Sequence, residues 1–294
     1  MVVARKRAIT YADTAKSQKE DIQLVTSIGR GRFFEVWEGR WNGTRRVAIK
    51  RMIEQQFLPA ECLHDEVVTM KSLCHQNLVQ FYSVSMQIGE PTCLIVELME
   101  GGSLRDYLRG EGKTLQLSQL IEKAEQIAAG MVYLEEHNYI HQNLSARNVL
   151  LTKDLTCKIS DYGVIRLLKS INEEGSIPMR LSKRTAPEAF LYGKFTIKSD
   201  VWSYGIVLYE IITYGQLPYL EMSNSEVMQK LQEGYRMPCP ENCQEKLYEI
   251  MLSCWKDERE NRPTFETLRW QLEDYFNTDQ EGYIFMKSKR SSIT

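Results

Sequence analysis

Several side chains in this sequence have types and spacings suited to holding a phosphorylated ligand. Gly29-Arg30-Gly31-Arg32-Phe33-Phe34-Glu35-Val36 lies between two strand-like runs. Glycines there let backbone amides close over phosphate oxygens without a Cβ clash. Val47-Ala48-Ile49-Lys50 follows at strand spacing, and a lysine on a buried-looking strand needs an anion. Glu66, on the next helical stretch, is a candidate partner for it. Further on, His141-Gln142-Asn143-Leu144-Ser145-Ala146-Arg147-Asn148 offers Asn148, an amide able to ligate magnesium, and Arg147, a cation able to steer a hydroxyl. Ile159-Ser160-Asp161-Tyr162-Gly163 adds a carboxylate and a glycine hinge. Taken singly, a G-x-G pair is a hairpin, and a strand lysine with a helix glutamate is an ordinary surface pair. The order glycine loop, strand lysine, helix glutamate, asparagine, aspartate carries the phosphate reading. Asn143 limits it, because a carboxamide takes no proton at pH 7.

The elements that must position these groups fall into two kinds. Residues 1–21 are polar and weakly patterned, as expected of a flexible leader. From Ile22 to Val96 short β-rich runs dominate: Ile22–Ile28, Glu35–Arg40, Arg46–Met52, Leu78–Ser85 and Cys93–Val96. One helical stretch, Pro59 to Leu73, interrupts them. Glu97-Leu98-Met99-Glu100-Gly101-Gly102 reads as a hinge. Beyond it, Leu117–His137, Val201–Thr213, Asn224–Gly234, Glu245–Trp255 and Thr264–Phe276 carry apolar residues at helical spacing. The expected class is α+β: a small five-stranded lobe with one helix over 22–97, then hinge and a mainly helical lobe over 98–276. Residues 277–294 form a polar tail.

A net charge of -2 gives no basic field for nucleic acid or membrane surfaces. The longest apolar stretch, around Gly205 to Thr213, is too short to span a bilayer and carries Glu210, so no membrane insertion is expected. Val2 stands where myristoylation requires glycine. The seven cysteines are odd in number and scattered, which suits a reducing, cytoplasmic setting. Cys239 and Cys243 are the only close pair, with no matching Cys/His pair nearby to make a metal site.

Further motifs make a resemblance specific. Ala186-Pro187-Glu188, Asp-Val-Trp-Ser-Tyr-Gly from Asp200, and Glu-Asn-Arg-Pro-Thr around Arg262 follow in order, and Arg262 is placed to pair with Glu188 and lock the large lobe. With Phe-Phe-Glu-Val-Trp-Glu-Gly, Glu-Leu-Met-Glu-Gly-Gly-Ser-Leu, Gly-Tyr-Arg-Met-Pro-Cys-Pro and Leu-Glu-Asp-Tyr-Phe, the region Asp21 to Phe276 resembles a protein tyrosine kinase domain of the cytoplasmic Src/Frk/Brk group. That resemblance implies a bilobal protein-kinase fold with ATP in the cleft. It implies that Lys50 holds the α/β-phosphates and pairs with Glu66, while Asp161 and Asn148 hold Mg. Gly29 and Gly31 cover the phosphates, and adenine lies between Ile28, Val36, Ala48 and Leu150. Val96 is the implied gatekeeper, and Glu97 and Met99 offer backbone hydrogen bonds.

The sequence departs from that pattern at several places. Asn143 occupies the family's proton-acceptor position. Gln142 replaces the arginine that meets a phosphorylated loop, and Val164 to Thr185 contains no tyrosine, so the two losses agree. Phe34 fills a glycine position and stiffens the loop tip. Arg184 stands where the family carries tryptophan, on the expected peptide-docking floor, which puts the usual substrate preference in question. Tyr162 replaces a phenylalanine, and its hydroxyl needs a partner if buried. Tyr283, eight residues beyond Tyr275 and preceded by Asp279 and Glu281, resembles a regulatory tail tyrosine. The leading expectation is a domain that binds Mg-ATP, is catalytically impaired, and signals through protein partners. An active tyrosine kinase acting on protein tyrosine, and an interaction module that binds no nucleotide, are the alternatives.

Overall fold

The computed structural model describes residues 21–31, 33–53, 60–85, 91–171, 182–241 and 243–275. The leader, the tail and Tyr283 lie outside the described residues. The described residues divide into two compact units: those up to Ile53 with Phe81–Leu98, and those from 60 to Gln80 with those from Met99 onward. The dividing point Leu98/Met99 falls inside the stretch read as a hinge.

The first unit is one antiparallel sheet of β1 (Ile22–Arg30), β2 (Phe34–Trp41), β3 (Arg45–Met52), β4 (Phe81–Ser85) and β5 (Cys93–Val96), in the order β1-β2-β3-β5-β4. Alternation along β3 assigns its two faces. Val47 and Ile49 pack with Ile95 into a core flanked by Ile22, Trp37, Trp41, Tyr82 and Cys93. Ala48 and Lys50 take the opposite face. The ladder sets Ala48 opposite Val96 and Lys50 opposite Val36 and Leu94.

The second unit is helical. It contains α1 (Ala60–Ser72), α2 (Leu104–Arg109), α3 (Leu117–Glu136), a two-stranded ribbon of β6 (Val149–Leu151) and β7 (Cys157–Ile159), α4 (Val164–Ile171), α5 (Pro187–Tyr192), α6 (Ile197–Ile212), α7 (Asn224–Gln232), α8 (Glu245–Cys254) and α9 over 265–275. In α6, 13 of 16 residues are buried, so this helix is enclosed on all sides and α3 and α8 pack on it. Gly205 permits the close approach of α8: a Cβ there would lie 2.6 Å from Trp255 Nε1 and 2.7 Å from Cys254 Cβ. A capping box of Thr196 and Ser199 starts α6 four residues before the stretch the apolar pattern marks.

Three other differences from the sequence reading have clear causes. Leu78–Gln80 does not extend β4, because Val79 N donates to Ile159 O (2.9 Å) and Ile159 N to Asn77 O (2.8 Å), tying this stretch to β7. The short helices α2 and α5 are set by local signals, the Ser103 cap and Pro187 at a first-turn position. Helix α4 occupies a stretch read as loop, and it packs on α1.

The expected lock of the large lobe is present. Arg262 is fully buried and forks onto Glu188, with Nη1–Oε1 at 2.6 Å and Nη2–Oε2 at 3.0 Å. Nε and Nη1 also reach the carbonyls of Lys256 and Lys198, each at 2.9 Å, and Nη2 makes a longer bond to Asp257 O at 3.4 Å. Replacing Arg262 by Met strands Glu188 and these carbonyls. Urea denaturation is expected to show a loss of about 3–5 kcal/mol. The double variant Arg262→Met/Glu188→Gln is expected to lose less.

Candidate active site

The first unit contributes one face of its sheet. Val36, Ala48, Lys50 and Val96 share that face through the β2-β3-β5 register, and Ala48, Lys50 and Val96 are buried. Gly29 sits opposite Val36 at the end of β1, and Ile28 beside it is exposed. Gly31 N donates to Phe34 O at 2.8 Å, so the turn closes on the backbone of the residue that replaces a glycine. Phe34 itself begins β2 and pairs with Met52. Glu97 follows β5 and is half-buried.

The second unit contributes the loop from His141 to Asn148. Asp200, buried at the start of α6, accepts His141 N (2.6 Å) and Gln142 N (2.9 Å). These bonds support Gln142 at a φ of 70°, a conformation a non-glycine residue adopts only under such restraint. Asn143 N donates to His141 Nδ1 (3.2 Å), and Asn148 Nδ2 donates to Asn143 O (2.8 Å). Glu210, also on α6, accepts Ala146 N at 2.9 Å. The hydrogen bonds that shape the loop join its main chain to two α6 carboxylates, the His141 ring and the Asn148 amide, and none of them uses the Asn143 side chain. Asn143 is half-buried and Arg147 exposed. Gly101 N and Gly102 O bond to Leu151, each at 2.9 Å, which sets Ser103 opposite Leu150, and Met99 is buried just before this join.

Asp161, at a φ of 64°, follows Ser160, whose N donates to Asn148 O at 2.8 Å. The two residues expected to hold a metal thus come together. Asn148 uses its amide nitrogen on Asn143 O, which leaves its amide oxygen as the ligand atom. One carboxylate and one amide oxygen are hard ligands of the kind Mg²⁺ takes, with phosphate oxygens and water completing its shell. The donor set fits that ion.

Glu66 on α1 has partners no local motif foretells. Its Oε1 accepts a short hydrogen bond from the Tyr139 hydroxyl and a bond from Arg166 Nε on α4 at 3.1 Å. The Arg166 guanidinium lies 3.7 Å over the Tyr139 ring. Burial and the adjacent carboxylate push the Tyr139 hydroxyl pKa up, so it acts as a donor. Gly163 is needed here: at φ 79°, a Cβ would fall 2.7 Å from Glu66 Oε1 and 2.8 Å from Met70 Sδ. Tyr162 is buried edge-on to Tyr139, and its hydroxyl donates to Val79 O at 2.6 Å. That bond is the partner the sequence reading required. Arg184 also has a definite place, turned inward onto Glu210 rather than outward from the segment. Tyr139, Arg166 and Glu210 are absent from the sequence-derived set, because their partners lie 73, 100 and 26 residues away along the chain.

A sheet carrying a buried lysine, a helical unit carrying an asparagine-aspartate pair, and a bidentate arginine lock define a protein kinase domain. Residues 22–272 match the family model for protein tyrosine and serine/threonine kinases. The chain is 48% identical over 275 residues to tyrosine-protein kinase SRK2 of Spongilla lacustris, covering 92% of this chain and 75% of that protein. It is 46% identical over 279 residues to tyrosine-protein kinase SRK3 of the same organism, covering 93% and 82%. The chain belongs to the protein tyrosine and serine/threonine kinase family, with a protein tyrosine kinase domain of the bilobal protein-kinase fold.

Stability should depend on pH through His141 of this loop and Asp200 of α6. Burial lowers the His141 pKa from 6.5 to about 4, so the folded state binds fewer protons than the unfolded chain between those values. The stabilisation from a neutral His141 is complete above pH 6.5 and is lost as pH falls through 4, by about 3 kcal/mol in all. Asp200 works the other way: burial raises it to about 7, so protonation favours the folded state as pH falls below that. The difference between wild type and His141→Gln isolates the histidine. Urea titrations from pH 7.5 to 4 are expected to show the stability of the wild type falling relative to that of the variant as pH drops. Separately, Tyr162→Phe removes the donor to the Val79 carbonyl and is expected to cost about 1–2 kcal/mol by denaturation.

Proposed function

We propose that this domain binds Mg-ATP, transfers phosphate slowly or not at all, and signals through protein partners. The observation that carries the reading is Asn143 at the proton-acceptor position of a loop whose main-chain bonding does not involve its side chain. The hydroxyl of an incoming tyrosine would meet a carboxamide oxygen there, which accepts a hydrogen bond but takes no proton. Loss of a general base slows transfer by about 10²–10⁴. The residual rate would rest on positioning and charge, which dominate phosphoryl transfer.

The remaining groups have roles on this reading. Lys50 would hold the α/β-phosphates, with Gly29 and Gly31 offering backbone amides. Ile28, Val36, Ala48 and Leu150 would contact the base, beside the gatekeeper Val96 and the backbone of Glu97 and Met99. Asp161 and Asn148 would hold Mg²⁺, which neutralises phosphate charge when bound. Arg147, exposed near Asn148, is the cation available to an incoming substrate. Glu66 takes Tyr139 and Arg166 on Oε1, so Oε2 would be the oxygen that meets Lys50. The motif set supports placement in the cytoplasmic Src/Frk/Brk group, and Tyr283 is its proposed regulatory tyrosine.

The names of the relatives favour a second reading, an active kinase for protein tyrosine. One comparison separates the two. Phosphate transfer from Mg-ATP to a tyrosine peptide is measured for the wild-type chain and for Asn143→Asp. The impaired reading expects the variant to be faster by about 10²-fold or more. Equal, brisk turnover in both would establish the active kinase instead.

A further inference from the structure

Arg184 lies just before α5, in the segment expected to form the peptide-docking floor, where the family pattern has tryptophan. Its side chain is 18% exposed and turned inward. Nε donates to Glu210 Oε1 at 3.0 Å, and Nη2 makes a shorter bond to the same oxygen. Its own carbonyl accepts Ser203 Oγ from α6 at 2.9 Å. Glu210 is fully buried, and its second oxygen accepts Ala146 N. One carboxylate therefore joins the docking segment to the loop that carries Asn143 and Asn148.

Charge makes this junction specific to a cation. A fully buried carboxylate requires a compensating cation. Among the described residues, Arg184 is the only cation paired with Glu210. An indole at this position would offer one neutral donor and leave the anion uncompensated. The planar guanidinium places two donors on one oxygen and leaves the other free for the Ala146 amide.

We propose that Arg184 is a positioning residue: as the internal counter-ion of Glu210, it keeps the Ala146 amide bonded and so couples the docking segment to the loop of Asn143. Glu210 is thereby satisfied from within, and a basic side chain on a docking protein finds no free carboxylate at this point. The inference deepens the kinase-like reading, from which the docking role of the segment comes.

Hydrogen exchange of the Ala146 amide, resolved residue by residue without nucleotide, tests the coupling. Arg184→Met is expected to speed exchange at Ala146 by tenfold or more while the α8 amides stay within twofold. Arg184→Lys keeps the charge and is expected to retain most of the protection. In Arg184→Met/Glu210→Gln no buried charge remains, and the introduced carboxamide oxygen accepts Ala146 N. Protection at Ala146 is then expected to return, with residues 182–186 still fast. Unchanged exchange at Ala146 in Arg184→Met would overturn the proposal, as would equal acceleration across Ala146 and α8. Should Arg184→Met not fold, an unprotected Ala146 in the folded double variant would overturn it. The measurement needs neither ATP nor transfer, so its failure leaves the catalytic reading standing, and an unrestored Asn143→Asp leaves the coupling standing.

Discussion

Asp200 and Glu210 project from a helix enclosed almost all round; Asp200 spends both oxygens on the main chain of the loop from His141 to Ala146, and Glu210 spends one there and one on Arg184. Buried carboxylates are costly unless fully bonded, and amide donors are costly unless accepted. Each satisfies the other, so the loop has one low-energy path across α6. That path includes the positive φ of Gln142 and the return bond from Asn148 to Asn143 O. None of these contacts uses the side chain of residue 143. A carboxylate there could therefore be exchanged for a carboxamide without loss of loop geometry, which separates chemistry from fold at this position.

Glu66 shows a second way in which charge arranges this unit. Its carboxylate meets a phenol and a guanidinium, and the guanidinium also covers the phenol ring. Helix α4 is held against α1 by this cluster, and Gly163 gives it room. Immediately beside it, the Tyr162 hydroxyl reaches the Val79 carbonyl, a bond a phenylalanine could not make. The Asp161-Tyr162-Gly163 segment is thus pinned on both sides by groups that differ in kind, one ionic and one neutral.

Much of this was legible in the chain. Strand alternation in Val47-Ala48-Ile49-Lys50 separates a core face from a lysine face, and the ladder keeps that separation. The motif order led to the Arg262–Glu188 pair, which is bidentate as its buried setting requires. Short elements were harder to read. The ribbon β6-β7 has three residues per strand, too few for a period to emerge. Helix α4 lies in a stretch whose neighbours suggested loop, and its packing on α1 brings together residues far apart in sequence. Leu78–Gln80 has strand composition, yet its backbone bonds go to β7.

The chain by itself determined which chemical groups are available and in what order: a strand lysine, an amide in place of a base, an asparagine-aspartate pair, and an arginine in place of tryptophan. Composition and local period suffice for that, since they depend on covalent neighbours. Only the tertiary structure decided how those groups are spent. Arg184 read as a cation on the expected peptide-docking floor, and its side chain is the counter-ion of a buried glutamate. Glu66 takes Tyr139 and Arg166 on one carboxylate oxygen, two partners that the order of motifs did not name. The reason is physical: a buried charge is neutralised by whichever donor packing brings within bonding distance, and packing is set by residues tens of positions away.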